Sequence, residues 1–112
     1  MSHLLESQQI EISAPEAKDL ARAIWLVVSR PVDARNKLEL FEAIAFPCLR
    51  QAGLKLARRA MRAKSGKKIK LTLTAQELLS IHQLINEFPV ELYNILSTID
   101  RKVRNYDQKV EI

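Results

Sequence analysis

Residues 10–16, Ile10-Glu11-Ile12-Ser13-Ala14-Pro15-Glu16, and residues 71–77, Leu71-Thr72-Leu73-Thr74-Ala75-Gln76-Glu77, carry one pattern twice at an offset of 61. Each begins with apolar residues alternating with a polar one, the period-2 signature of a half-buried strand. Each continues into Ser or Thr followed three residues later by Glu, the capping box that satisfies two orphan amides at a helix start. Leu20 and Ile24 coincide at the same offset with Ile81 and Ile85. The chain is therefore expected to hold two strand-then-helix units. Convergence explains the coincidence more simply than duplication, because strand-to-helix junctions favour these caps wherever they occur.

Outward from the first unit, a strand is expected at Gln9–Ile12. A helix follows from the Ser13 cap, with Pro15 tolerated in its first turn. Ala17, Leu20, Ala21, Ile24, Val27 and Val28 recur at helical spacing, and Trp25 and Leu26 make its end apolar nearly all round, predicting a buried end. Pro31 stops this helix. Asp33 can cap a second, from about residue 34, whose core face is Leu38, Phe41, Ile44 and Ala45. Pro47 is expected to break it from the next.

From Cys48 to Lys64, about 100° per residue places Leu49, Ala52, Gly53, Leu56, Ala60 and Ala63 on one stripe. Lys55, Arg58, Arg59 and Arg62 are expected on the opposite stripe. Gly66 is a plausible helix cap, and Ile69–Leu73 is the best strand in the chain. The second unit then predicts a helix over 75–88 with Leu78, Ile81, His82, Ile85 and Phe88 on its face. Pro89 opens a last helix over 90–106, where Leu92, Leu96, Ile99, Val103 and Tyr106 form a seam. Residues 1–8 and 107–112 are expected to be mobile tails.

These elements make a helix-dominated α+β fold, a bundle of four to five helices with two short β-strands, in one domain spanning residues 1–112. A length of 112 residues suits one core, and a 47% hydrophobic, 28% charged composition argues against disorder. Two strands alone are marginal in water, so they must pack on helices or be completed by another chain, and a homo-oligomer is expected.

The net charge of +5 conceals a sharper division. Nine of the 18 basic residues lie between Glu42 and Glu77, a stretch of 34 residues without a single acid, while the remainder of the chain carries −4. Lys55, Arg58, Arg59 and Arg62 on the helix, extended by Lys64, Lys67, Lys68 and Lys70 toward and along the strand, are the candidate nucleic-acid-binding residues. Such a run can follow an RNA or DNA phosphate backbone. It holds no aromatic residue for stacking bases, so backbone contact without sequence reading is expected. The alternative is an assembly subunit, homo-oligomeric, whose basic patch docks an acidic protein and whose strand is completed by β-augmentation.

Other chemistry has less support. A helix-turn-helix over 75–106 would place Glu91 in the first turn of its reading helix, against phosphate. The basic helix has a small apolar face of mostly Ala and Gly, poorly suited to membrane insertion, and the longest apolar run, Ala23–Val28, cannot span a bilayer. His3 and His82 are the only histidines, and no His or Cys pair has metal-ligand spacing. With glycine only at 53 and 66, the nucleotide-binding glycine motifs are impossible. The chain is thus read as non-enzymatic, without cofactor or metal. One cysteine, Cys48, and no secretory leader pattern point to the cytoplasm.

Overall fold

The computed structural model describes residues 6–29, 44–64 and 66–110, with side chains as far as Tyr106. Among them are two strands, β1 (Gln8–Ser13) and β2 (Lys68–Leu73), and four helices, α1 (Ala14–Val28), α2 (Phe46–Arg62), α3 (Ala75–Gln83) and α4 (Tyr93–Val110). The helix-dominated α+β architecture is the one expected from the pattern of elements.

Both strand-to-helix junctions form as read. Ser13 Oγ accepts from the Glu16 amide at 3.2 Å, and Glu16 Oε1 accepts in return from the Ser13 amide at 3.2 Å. Thr74 and Glu77 repeat the exchange at 3.1 and 2.8 Å. The strands pair antiparallel with Ile10 opposite Leu71. Ile10 thus faces the residue that stands in its own place in the second unit, so the pairing carries an approximate two-fold relation through that point.

One face of this two-stranded sheet, Ile10, Ile12, Ile69, Leu71 and Leu73, is buried against the helices. The other, Gln9, Glu11, Lys68, Lys70 and Thr72, is exposed. An antiparallel sheet with one wet face needs this alternation. The buried face joins Leu20 and Ile24 of α1, Leu49, Ala52 and Leu56 of α2, Leu78 and Ile81 of α3, and Ile99 of α4 in one core. α1 packs along α2, and at Gly53 the fit is tight, since a Cβ there would lie 3.3 Å from Ile24 Cγ2.

Several boundaries differ from the sequence reading. Trp25 and Leu26 are 64% and 67% exposed, so the end of α1 is not buried all round. Both lie outside the arc of Leu20, Ile24, Val27 and Val28, and an apolar side chain is not obliged to be inside. Pro47 sits in the first turn of α2, whose N-cap is Ala45, in agreement with a break there. The helix expected from about residue 34 falls largely outside the described residues; of its last positions, Ala45 is buried and Ile44 exposed.

Gly66 does not cap α2, which ends at Ala63 in extended conformation. It occupies, with φ +79°, the third position of the turn in which the Lys67 amide donates to the Lys64 carbonyl, a place that favours glycine. The helix expected over 75–88 stops at Gln83 and tightens into a 3₁₀ turn at Ile85–Glu87. Phe88 is then extended, as proline requires of the residue before it. Pro89 in turn caps the 3₁₀ turn Val90–Leu92 that leads into α4, rather than lying inside that helix. β1 starts at Gln8 and α4 runs to Val110, each reaching into a segment expected as tail.

α4 is fastened to the start of β1 by three bonds. Gln8 Nε2 donates to the Lys102 carbonyl at 2.7 Å, Asn105 Nδ2 to Gln8 Oε1 at 3.1 Å, and the Tyr106 hydroxyl to the Glu6 carbonyl at 2.6 Å. α3 is tied to α4 by His82 Nε2 and Asp100 Oδ1 at 2.7 Å, with Arg104 on the other carboxylate oxygen at 2.8 Å. His82 is half-buried at the edge of the pair, not on the core face.

Three substitutions test this packing. Gly53→Leu should force α1 from α2 and lower stability by about 1–3 kcal/mol in chemical denaturation. Lys55→Met removes the cation beside the buried Glu77 carboxylate and should cost about 3 kcal/mol, the low end for breaking a buried pair because Lys55 is partly exposed. Glu77→Gln in the same chain retains a capping box and should restore most of that loss.

Candidate nucleic-acid interface

The eight candidate residues fall on three consecutive pieces of chain: α2, the turn closed at Lys67, and β2. Measured around α2 from the buried stripe, Lys55 and Arg59 lie on the flank that meets β2 rather than on the far side. Both reach across. Lys55 Nζ sits 2.6 Å from Glu77 Oε1 and 3.5 Å from the Thr72 carbonyl, and Arg59 donates to the Lys70 carbonyl at 3.2 Å. Glu77 is 1% exposed, so Lys55 neutralises a carboxylate that the fold has removed from water. Lys55 is thus engaged with a buried acid, whereas Arg59 is exposed, has no ion pair among the described residues and gives one donor to a backbone carbonyl.

Their targets matter as much as their pairing. The carbonyls of Lys70 and Thr72 point the same way, because alternate residues of a strand do. Arg59 and Lys55 therefore cover the edge of β2 that does not pair with β1. An exposed edge invites another strand, and positive side chains are one of the ways proteins block it. The same two contacts hold α2 beside β2.

The other candidate cations have no ion pair among the described residues. Arg58, Arg62, Lys64, Lys67, Lys68 and Lys70 are all exposed, and the ion pairs among the described residues are Lys55–Glu77, His82–Asp100 and Arg104–Asp100. Arg62 lies in the last turn of α2, where a cation is favoured by the helix dipole even without a ligand. Lys68 and Lys70 occupy alternate outward positions of β2 and stand on the same wet face as Glu11. Glu11 is directly opposite Lys70 across the strands, yet the two form no ion pair.

Sequence reasoning missed two residues near this surface. Arg101 and Lys102 of α4 line a cleft of about 530 Å³ together with Lys70, Glu11, Gln9 and Asn105. They lie 31 and 32 positions beyond Lys70 in the chain, and nothing local announces the meeting. Only the polar stripe of α4, with Arg101, Arg104 and Asn105, hinted that this helix presents cations to solvent.

The expected absences can be located but carry less weight. Among the described residues no group of His, Cys, Asp and Glu is arranged to hold a metal ion, and no helix is long and apolar enough to cross a membrane. Cys48 is half-buried near the start of α2 and is unpaired. Comparison with known proteins finds no matching family model, no matching curated protein and no matching solved structure.

Proposed function

We propose that the protein is a small non-enzymatic accessory protein that binds nucleic acid by its phosphate backbone, through the basic flank of α2, the turn after it and β2. One observation carries this reading: Arg58, Arg62, Lys64, Lys67, Lys68 and Lys70 are exposed and, among the described residues, without ion pairs, on consecutive elements of the chain. Folded domains usually intersperse opposite charges on their surfaces, and an uncompensated group repels itself until a polyanion neutralises it. Lys55 and Arg59 serve the surface indirectly by holding α2 against β2. The exposed run lacks an aromatic platform, so contact is with phosphates and not by stacking. A single unpaired cysteine suits a reducing compartment, and we place the protein in the cytoplasm.

A homo-oligomer is the second reading, and an apolar groove favours it. Between α1 and α2 lies a space of about 390 Å³ lined by Ala21, Ile24, Trp25, Gly53, Leu54 and Ala57, with Arg22 and Arg50 at its rim. Trp25, Leu54 and Met61 are all more than half exposed. A shared sheet is the less suitable route, because Lys55 and Arg59 already occupy the carbonyls along the open edge of β2. An acidic protein docking on the basic flank would use the same cations as nucleic acid, and competition separates the two.

Binding to unrelated RNA and DNA oligomers, followed by fluorescence anisotropy, should weaken with salt at a log–log slope of about −4 to −5 if six phosphates are met. Arg58→Glu with Arg62→Glu should abolish it and leave the circular dichroism of the helices unchanged. Affinity weaker than about 10⁻⁴ M at low salt would sink the reading. For the second reading, light scattering should give more than one chain mass, and Leu54→Glu should return it to one.

A further inference from the structure

The cleft beside α4 has a chemistry that a plain phosphate track does not need. One of its walls is the exposed sheet face, with Gln9, Glu11 and Lys70; the other is α4, with Arg101, Lys102 and Asn105. Three cations converge there from two distant parts of the chain, and with them comes a carboxylate. Glu11 would repel a bare phosphate. It is also unpaired, although Lys70 stands opposite it in the register. A carboxylate left open among cations suits a ligand that brings phosphate and a hydrogen-bond donor together.

A nucleotide whose base carries an exocyclic amino group is such a ligand. The geometry points to this cleft as a base-reading site for single-stranded nucleic acid, in which Lys70, Arg101 and Lys102 take the phosphates and Glu11 accepts from the base's amino group. The inference rests on the nucleic-acid reading above. It goes beyond it by giving the surface a strandedness and a base preference.

Size and chemistry both favour a single strand. About 530 Å³ is the volume of a small-molecule pocket, roomy enough for a nucleotide and far too small for a duplex. In a duplex one hydrogen of each amino group is engaged by pairing and the other lies in a groove, whereas an unpaired strand can turn its whole base edge into a small cleft. Carboxylates recognise the cytosine amino group in this way, and uracil presents a carbonyl oxygen at the same position, which a carboxylate repels. The cleft has no aromatic wall, but the guanidinium plane of Arg101 is itself a surface on which a base can stack.

The α4 wall is held in place before any ligand arrives. Asn105 Nδ2 donates to Gln8 Oε1, and Gln8 Nε2 donates to the Lys102 carbonyl, so the backbone beneath Lys102 is pinned to β1. The Asn105 amide nitrogen is therefore used, and its carbonyl oxygen remains as a second acceptor for a base edge. Arg101 makes one long bond, 3.4 Å, to the Thr98 hydroxyl on its own helix. Its other guanidinium donors remain for phosphate.

The test measures labelled oligocytidylate against oligouridylate by fluorescence anisotropy at low salt, with a duplex of the same length as competitor. The wild-type protein should prefer oligocytidylate about tenfold, the value of one well-placed hydrogen bond to a base edge. The duplex should compete poorly. Glu11→Gln should collapse the preference and strengthen binding to oligouridylate. Arg101→Ala with Lys102→Ala should weaken both homopolymers and reduce the salt slope by about 1.4, two phosphate contacts on a single strand, since the edge of the Arg101 guanidinium can meet phosphate while its face stacks on a base.

Equal binding of the two homopolymers by the wild type, an unchanged preference in Glu11→Gln, or equal competition by duplex would each overturn the cleft assignment. If Arg58→Glu with Arg62→Glu abolishes binding while the α4 variant binds as the wild type does, the cleft falls and the nucleic-acid reading stands. If no oligomer binds at all, both fall. Unchanged thermal melting of each variant shows that it is folded and makes its result count.

Discussion

The carboxylate of Glu77 is the joint on which the arrangement of α2, β2 and α3 depends. Its Oε1 accepts from the Thr74 amide, closing the capping box of α3, and from Lys55 Nζ, which comes from α2 and also reaches the Thr72 carbonyl of β2. One oxygen thus connects three elements. Glu77 is 1% exposed, and Oε2 has no hydrogen-bond partner among the described residues. A buried carboxylate so sparingly satisfied is costly to desolvate, and the nearby ammonium is what offsets the cost. The position of α2 against the sheet is therefore set by charge as well as by the burial of Leu49, Ala52 and Leu56.

That constraint shapes the surface. Lys55 and Arg59 reach from α2 to carbonyls of β2, so two cations of the basic run hold the helix against the strand. A separate set of bonds does the corresponding work on the other side, where Gln8, Asn105 and Tyr106 fasten α4 to β1. The sheet is small, but each of its flanks is held by side chains from a helix. A two-stranded ribbon that would be marginal alone is stable here because the helices bury one face and occupy its margins.

How much of this could be read from the chain follows from the range of each interaction. The two capping boxes were legible because each joins residues three positions apart, and the strands beside them because alternation is local. The last helix was legible from the spacing of Leu92, Leu96, Ile99, Val103 and Tyr106, all of which are buried. The stop at Gln83 was harder. Helical spacing continues through Ile85 and Phe88, and Pro89 announces an end no earlier than the residue before it. Trp25 and Leu26 show a different limit: a hydrophobic residue at the margin of an apolar arc does not reveal whether another element will cover it.

The candidate surface divides along the same line. Its charge excess is a property of composition and needed no fold, so the basic segment stood out at once. The internal use of Lys55 and Arg59 depends on Glu77 being 22 residues away and on two carbonyls of β2, none of which periodicity can place. The convergence of Lys70 with Arg101 and Lys102 is more distant still. It exists because the β1–β2 register sets Lys70 opposite Glu11 and because Gln8 draws α4 toward β1. A run of like charge in sequence therefore indicates that a field exists, while the direction of that field is decided by which of its members the fold consumes. Here the fold pairs Lys55, near the middle of the run, with Glu77, and it brings Arg101 and Lys102 of α4 to the cleft that Lys70 lines.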